Sequence, residues 1–412
     1  MSILKHVFEI RETDDITKRL GNMIVSGTDN EGSKKLYFNM LLNLLRERKT
    51  VVLVNGSLSG EKYKTLINYV RPLLAGRVLY DLNLSAGSDT VDILSAFQTS
   101  DQKADFIVSL LSQSSDLSDL LKNKARRFFL CAISAMDAMR KPYDLRELSV
   151  LDLESVSALV VASPLPDSVK NRHLRFLEDA GTYSSFLDLE STVDKLESWG
   201  LIHALSGSMP IKKALSDGNV LMLSGMLSDD FRAKEALFNA VFYALTKFLE
   251  HERSTSRIAF LIKNADFISG DNIKNTLEYN HSYPFASYIF VEDITKYVTK
   301  NGNPVLDLTK AFLVLNQGSG ENAAFWSAFF GSRDTQEKSY SFTSKKSWNP
   351  FANMMDNGGV VSTSRKYNSA TTSLHKVNKP IYRPEVFTEL QPSEAMLYLR
   401  EPLMRRKVRI EE

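Results

Sequence analysis

A short apolar run, Met23-Ile24-Val25-Ser26, leads directly into Gly27-Thr28-Asp29-Asn30-Glu31-Gly32-Ser33-Lys34, and the next stretch places Phe38, Leu41, Leu42 and Leu45 on one helical face. Strand, glycine loop and helix in that order open a phosphate-loop unit, in which the helix N-terminus and the loop N–H groups cradle an anion. The helix carries the chain back across the sheet before the next strand can pair, so such a unit favours parallel strands covered on both faces. Further apolar segments fit that plan: 51–54, 77–80, 219–223, 258–262, 287–291 and 311–315. The expected fold class is α/β with a mostly parallel sheet.

Between 90 and 215 the pattern changes to one amphipathic helical stretch after another, broken at Pro142, Pro164, Pro166 and Pro210. This predicts an all-helical insertion, with Ser114-Ser115-Asp116 and Asp152 as helix-starting caps. The sheet resumes near Asn219, and a helix beginning near Ser228 carries Leu237, Ala240, Val241, Ala244, Leu245 and Phe248 on one face. The expected layout is 1–89 and 216–334 as two parts of one α/β domain, 90–215 as the insertion, 335–380 as a Ser/Thr/Asn-rich loop, and 381–412 as a closing segment.

Both halves of the nucleotide site depart from what phosphate chemistry needs. A working loop reads G-x-x-x-x-G-K-[ST], with lysine on the β/γ-phosphates and the hydroxyl on Mg²⁺. Here Ser33 precedes Lys34. Consecutive helical residues point about 100° apart, so Lys34 leaves in another direction and Ser33 is too short to reach a phosphate. Glu31 adds a carboxylate where an anion would dock. The strand 258–262 ends in Lys263-Asn264, where an ATPase of this class holds metal with an acidic residue. A cation there repels the metal, and an amide cannot act as a base at neutral pH. The residues Gly27, Thr28, Glu31, Gly32, Ser33 and Lys34 thus read as a degenerate nucleotide loop, and Lys263 and Asn264 as a degenerate metal-binding strand end. No catalytic residue, metal ligand set or cofactor is assigned. One expectation is that Lys263 pairs with Glu31 in place of Mg²⁺ and phosphate; the alternative is that both are solvated.

Charge and cysteine usage narrow the rest. With 51 basic and 49 acidic residues the net charge is +2, which neither demands nor excludes nucleic acid. The single cysteine, Cys131, lies in an apolar stretch, which rules out an internal disulfide and favours a small packed side chain over a reactive thiol. No signal peptide is visible, and no apolar run reaches the roughly 18 residues of a membrane span. A cytoplasmic protein is expected.

The order of these features resembles the soluble motor domain of type IV coupling proteins, the TraD/TraG-like members of the FtsK and HerA translocase superfamily. Gly27, Thr28 and Gly32 match the family's G-T-x-G-S-G-K-[ST] loop, with its lysine lost. Val51 to Gly56 sits where the family has a strand ending in Asp, and Arg77 to Leu82 with Asp92-Ile93-Leu94-Ser95 resembles the lead into its all-alpha domain. Asp217 to Ser224 resembles the strand after that domain, Phe329 to Asp334 its F-G-x-R/K turn, and Tyr382 to Ala395 its R-P and L-P-x-G-E-A close. Pro402 to Ile410 is similar to its final strand. The family's sensor glutamine has Glu292 or Asp293 in its place, and its transmembrane hairpin has no counterpart. The resemblance implies a RecA-like phosphate-loop fold with an inserted all-alpha domain.

It also implies conjugation or type IV secretion proteins as partners, among them an active coupling ATPase, with membrane contact only through those partners at the inner face of the cell membrane. The preferred expectation is a pseudo-ATPase serving as a structural or adaptor subunit. One alternative is a DNA-binding accessory that grips through the basic loop and tail, with DNA the less favoured partner. The other is an active ATP-dependent DNA translocase in which Lys34 and Lys263 rebuild the site.

Overall fold

The computed structural model describes residues 22–55, 60–84, 87–216, 218–224, 230–251, 258–263, 268–282, 285–297, 304–343, 369–401 and 403–410. Seven strands, β1 (Asn22–Ser26), β2 (Thr50–Asn55), β3 (Leu79–Asn83), β4 (Val220–Ser224), β5 (Ile258–Lys263), β6 (Phe285–Val291) and β7 (Ala311–Val314), pair in parallel in the order β7-β1-β6-β5-β2-β4-β3. The inner strands are largely apolar because both faces of the sheet are covered, whereas the edge strand β3 includes Asp81 and is half-buried at alternate positions. Helix Glu31–Arg46 buries Leu36, Tyr37, Met40, Leu41, Leu44 and Leu45 against one face, in a cluster with Val51, Leu53, Leu261 and Leu313. The face expected from the sequence was offset by a few residues: Leu41 and Leu45 lie on the buried stripe, whereas Phe38 and Leu42 flank it half-buried. On the other side, Phe242 of helix Phe231–His251 meets Phe260 edge-on at 5.9 Å.

Two strands not foreseen as a pair close the sheet. After residue 389 the chain adds β10 (Glu394–Leu399) antiparallel to β7, and β11 (Met404–Arg409) antiparallel to β10. β11 carries Arg405, Arg406, Lys407 and Arg409 along the outer edge, where charge discourages pairing with another chain.

The described helices from Ser100 to Ala214 are interrupted by no strand, as an all-helical insertion requires. Their starts are locally encoded: Thr99, Ser118, Asp144 and Asp152 each accept a hydrogen bond from an N–H of the following turn. Asp152 caps as expected. Ser114-Ser115 instead ends one helix, and the next begins only after Ser118.

The chain divides into two compact units, residues 1–318 with 389–412, and residues 319–388. This differs from the sequence-based boundaries at 334 and 381. The second unit starts earlier because helix Gly320–Phe330 buries Trp326 and Phe330, and Phe330 packs on Tyr382 and Phe387 at 5.6 and 5.4 Å. The segment expected as a loop over 335–380 contributes most of β8 (Ser332–Thr343) and β9 (Ser369–Pro380), an antiparallel ribbon in register from Ser332↔Pro380 to Thr343↔Ser369. Polar residues dominate both strands, and the period-2 alternation is confined to a short stretch, Ser339-Tyr340-Ser341-Phe342-Thr343, which Ser, Thr and Lys on either side obscure.

Candidate functional site at the carboxyl edge of the sheet

The glycine loop leaves β1 where phosphate-loop chemistry would place it, at the carboxyl ends of the parallel strands. Gly27 adopts φ +149°, and a Cβ there would lie 2.7 Å from Leu315 Cβ, so the position admits only glycine. Its N–H donates to the Val291 carbonyl at 3.0 Å, and the Thr28 N–H and hydroxyl donate to the Asn316 carbonyl at 3.0 and 3.3 Å. The neighbouring strand ends thereby consume the first donors of the loop.

Asn30 consumes more of them. Its side chain accepts the Ser33 N–H at 2.9 Å, its carbonyl accepts the Lys34 N–H at 3.0 Å, and its own N–H donates to the Thr28 carbonyl at 2.9 Å. An anion cradle depends on such N–H groups being left for the ligand. Here they belong to a closed N-cap.

Gly32 is pinned from outside the loop. A Cβ on Gly32 would fall 1.7 Å from the Pro392 carbonyl oxygen, so the segment leading into β10 lies directly over the first turn of the helix. Asn316 donates to the Leu390 carbonyl at 3.0 Å and anchors the same segment. This backbone approach by itself requires a glycine at position 32.

Charge at the site is also settled internally. The pairings Lys263↔Phe290 and Val25↔Phe290 set Lys263 level with Val25, with β6 lying between them. Two strand spacings are about 10 Å, a span that the lysine side chain and the returning loop close together. Lys263 Nζ lies 2.9 Å from Asp29 Oδ1 and 5.4 Å from the centre of the Tyr37 ring. Lys263 is 7 % exposed. Tyr37 is held edge-on against Phe290 at 5.5 Å, and burial pushes its phenol well above the ordinary value, with Asn55 opposing.

The expected partner of Lys263 is therefore corrected: it is Asp29, and Glu31 is engaged elsewhere. Glu31 is the first helical residue and faces solvent, where Lys34 Nζ meets its Oε1 at 3.0 Å and the pair raises the Lys34 pKa. Asp29 lies inside the loop, which turns its carboxylate toward the end of β5. Ser33 is buried, its hydroxyl 3.4 Å from Asp29 Oδ1. Asn264 lies outside the described residues. Of the two candidates for the sensor position, Asp293 caps the turn Ile294–Tyr297 by accepting from the Thr295 N–H and hydroxyl at 2.9 and 2.6 Å.

Asp29, Asn30, Tyr37 and Pro392 are the residues that sequence reasoning did not assign. Asn30 was legible as an N-cap type before a helix, whereas Pro392 gave no local signal. In this residue set an ammonium, Lys263, stands at the end of β5 and a carboxylate, Asp29, stands in the glycine loop.

Neither a scan against protein-family models nor a search of curated proteins matches this sequence. Solved structures do match, over nearly its whole length. The plasmid coupling protein TrwB bound to a non-hydrolysable GTP analogue superposes with TM-score 0.61 at 12% identity, covering 100% of this chain and 92% of that one. TrwB bound to ADP and Mg²⁺ gives 0.59 at 12% identity, covering 96% and 85%. VirB4 of Thermoanaerobacter pseudethanolicus gives 0.58 at 10% identity, covering 98% and 92%. These likenesses show the fold: an α/β architecture with a mostly parallel sheet, similar to that of the TrwB and VirB4 structures.

Proposed function

We propose that this chain is a coupling-protein-like pseudo-ATPase, a motor fold retained for its surfaces and working as a structural or adaptor subunit of a conjugation or type IV secretion apparatus. The observation that carries this reading is the Lys263–Asp29 ion pair. It supplies within the protein the opposite charges that Mg²⁺ and phosphate supply in a working site. The N-cap formed by Asn30 and the close approach of Pro392 to Gly32 act in the same sense.

Such a subunit works through protein contacts, with secretion or conjugation components as partners and an active coupling ATPase foremost among them. It acts on the cytoplasmic side and reaches the membrane through those partners. Among the described residues, no helix is long and apolar enough to cross a membrane.

The first test is a calorimetric titration with ATP, with and without Mg²⁺, into the millimolar range. The reading expects no Mg²⁺-dependent heat assignable to the loop. Mg²⁺-dependent binding that disappears in Lys34→Ala would return the rewired enzyme, and a turnover assay would follow. Affinity purification from the native host tests the adaptor role: it should recover secretion or conjugation components, and their absence removes that role.

A further inference from the structure

The helical insertion concentrates arginine on one exposed stripe, in a hollow whose lining includes no residue of the glycine loop. Ser168, Asn171, Arg172 and Arg175 stand at i, i+3, i+4 and i+7 of helix Asp167–Leu177, so they share a single stripe. Arg127 joins them from helix Asp119–Met139, and together with Phe176 and Asp179 they line an open hollow of about 680 Å³. The Arg127 guanidinium lies 4.9 Å from the centre of the buried Phe176 ring, which holds one cationic arm in place and covers the only ring in the lining.

Positive charge in this hollow is in excess. Three guanidiniums face one carboxylate, and among the described residues neither Arg172 nor Arg175 forms an ion pair. The neighbouring His173 senses the surplus: burial first, then Arg172 and Arg127, hold its pKa below the ordinary value. Its Nδ1 is 3.1 Å from Cys131 Sγ, and burial pushes that thiol up to about 12, which disfavours the thiolate form.

The ligand class follows from shape and charge. Guanidinium forks bind phosphate oxygens in bidentate fashion, and Asn171 and Ser168 add neutral hydrogen-bonding groups. Ligand sites commonly span about 300–1,000 Å³, so the hollow exceeds what one phosphate fills. With its one ring covered, it has no apolar slot for a base. We propose that this hollow binds the polyphosphate chain of a small ligand, a nucleoside triphosphate or inorganic tripolyphosphate, through Arg127, Arg172 and Arg175. The proposal does not depend on whether the loop is vacant.

The test is a calorimetric titration of the full chain with sodium tripolyphosphate in EDTA, repeated with ATP. The expected result is saturable binding of both at similar affinity, weakened at least tenfold in the double variant Arg172→Ala/Arg175→Ala and unchanged in Lys34→Ala. Both substituted arginines are exposed, and circular dichroism checks that the variant is folded. Affinity for ATP alone would mean base recognition and overturn the phosphate-chain assignment. Absence of saturable heat, or binding indifferent to the arginine pair, overturns the proposal and leaves the vacant-loop reading standing. Loss of binding in Lys34→Ala overturns both. Displacement of tripolyphosphate by a duplex DNA oligonucleotide at lower concentration would make the face a nucleic-acid surface and overturn the small-ligand assignment.

Discussion

The carboxyl edge of the sheet and the outer face of the helical insertion handle charge in opposite ways. At the sheet edge, Lys263 and Asp29 turn inward and neutralise each other, while the N–H groups of Ser33 and Lys34 are taken by Asn30. On the insertion, Arg127, Arg172 and Arg175 stand outward around an open hollow. Desolvating a charge costs several kcal/mol per ion unless a partner is supplied. The buried edge must therefore complete its own circuit, whereas the exposed face can leave charge available to a ligand. On the proposed reading, a fold whose sheet edge satisfies its own charge still has surfaces with which to act.

The comparison is tested most severely at Gly32. Gly32→Ala drives a methyl group into the Pro392 carbonyl, and overpacking of this kind against backbone is expected to cost about 3 kcal/mol in urea denaturation. An unchanged midpoint would mean that the segment before β10 does not hold the loop shut.

Next is the ion pair. Lys263→Met leaves the Asp29 carboxylate without its partner; because Asp29 remains 32 % exposed, the loss is expected to be about 2 kcal/mol, below that of a fully buried pair. Adding Asp29→Asn should restore most of it, since an uncharged pair needs no compensation. A double variant no more stable than Lys263→Met would show that the two groups are not coupled.

Smaller again is Asn30→Ala, which removes the acceptor of the Ser33 N–H and is expected to cost about 1 kcal/mol, a typical N-cap loss. If that variant gained affinity for inorganic phosphate, the freed Ser33 N–H would have become available to an anion. At the bottom of the scale, Lys34→Ala should leave the denaturation midpoint unchanged, because its partner Glu31 is solvent-facing and water screens the pair. A clear destabilisation there would mean that Lys34 is more than a surface cation.

What was legible depended on how local the information was. The strand, loop and helix around Gly27 to Lys34 announce themselves through apolar runs and glycine spacing, and the six later parallel strands fall within a few residues of their expected places. The capping residue Asp152 needs only the following turn. The ribbon β8–β9 was not legible because its strands are mostly polar and the alternation in them is limited to residues 339–343. Within the site, the sequence identified Lys263 as a cation in the metal's place but paired it with Glu31, because a linear reading cannot show which carboxylate faces inward.

The sequence by itself determined the α/β class, the helical interruption, and the order of Ser33 before Lys34 with Lys263 at a strand end, the residue types on which the proposed loss of the nucleotide site rests. These rest on side-chain type and short-range periodicity, which hold in any conformation compatible with the chain. Only the tertiary structure decided that Lys263 meets Asp29 beside Tyr37 and that the Pro392 carbonyl lies over Gly32. Those contacts join residues more than two hundred positions apart in the chain, and strand order and register set their distances.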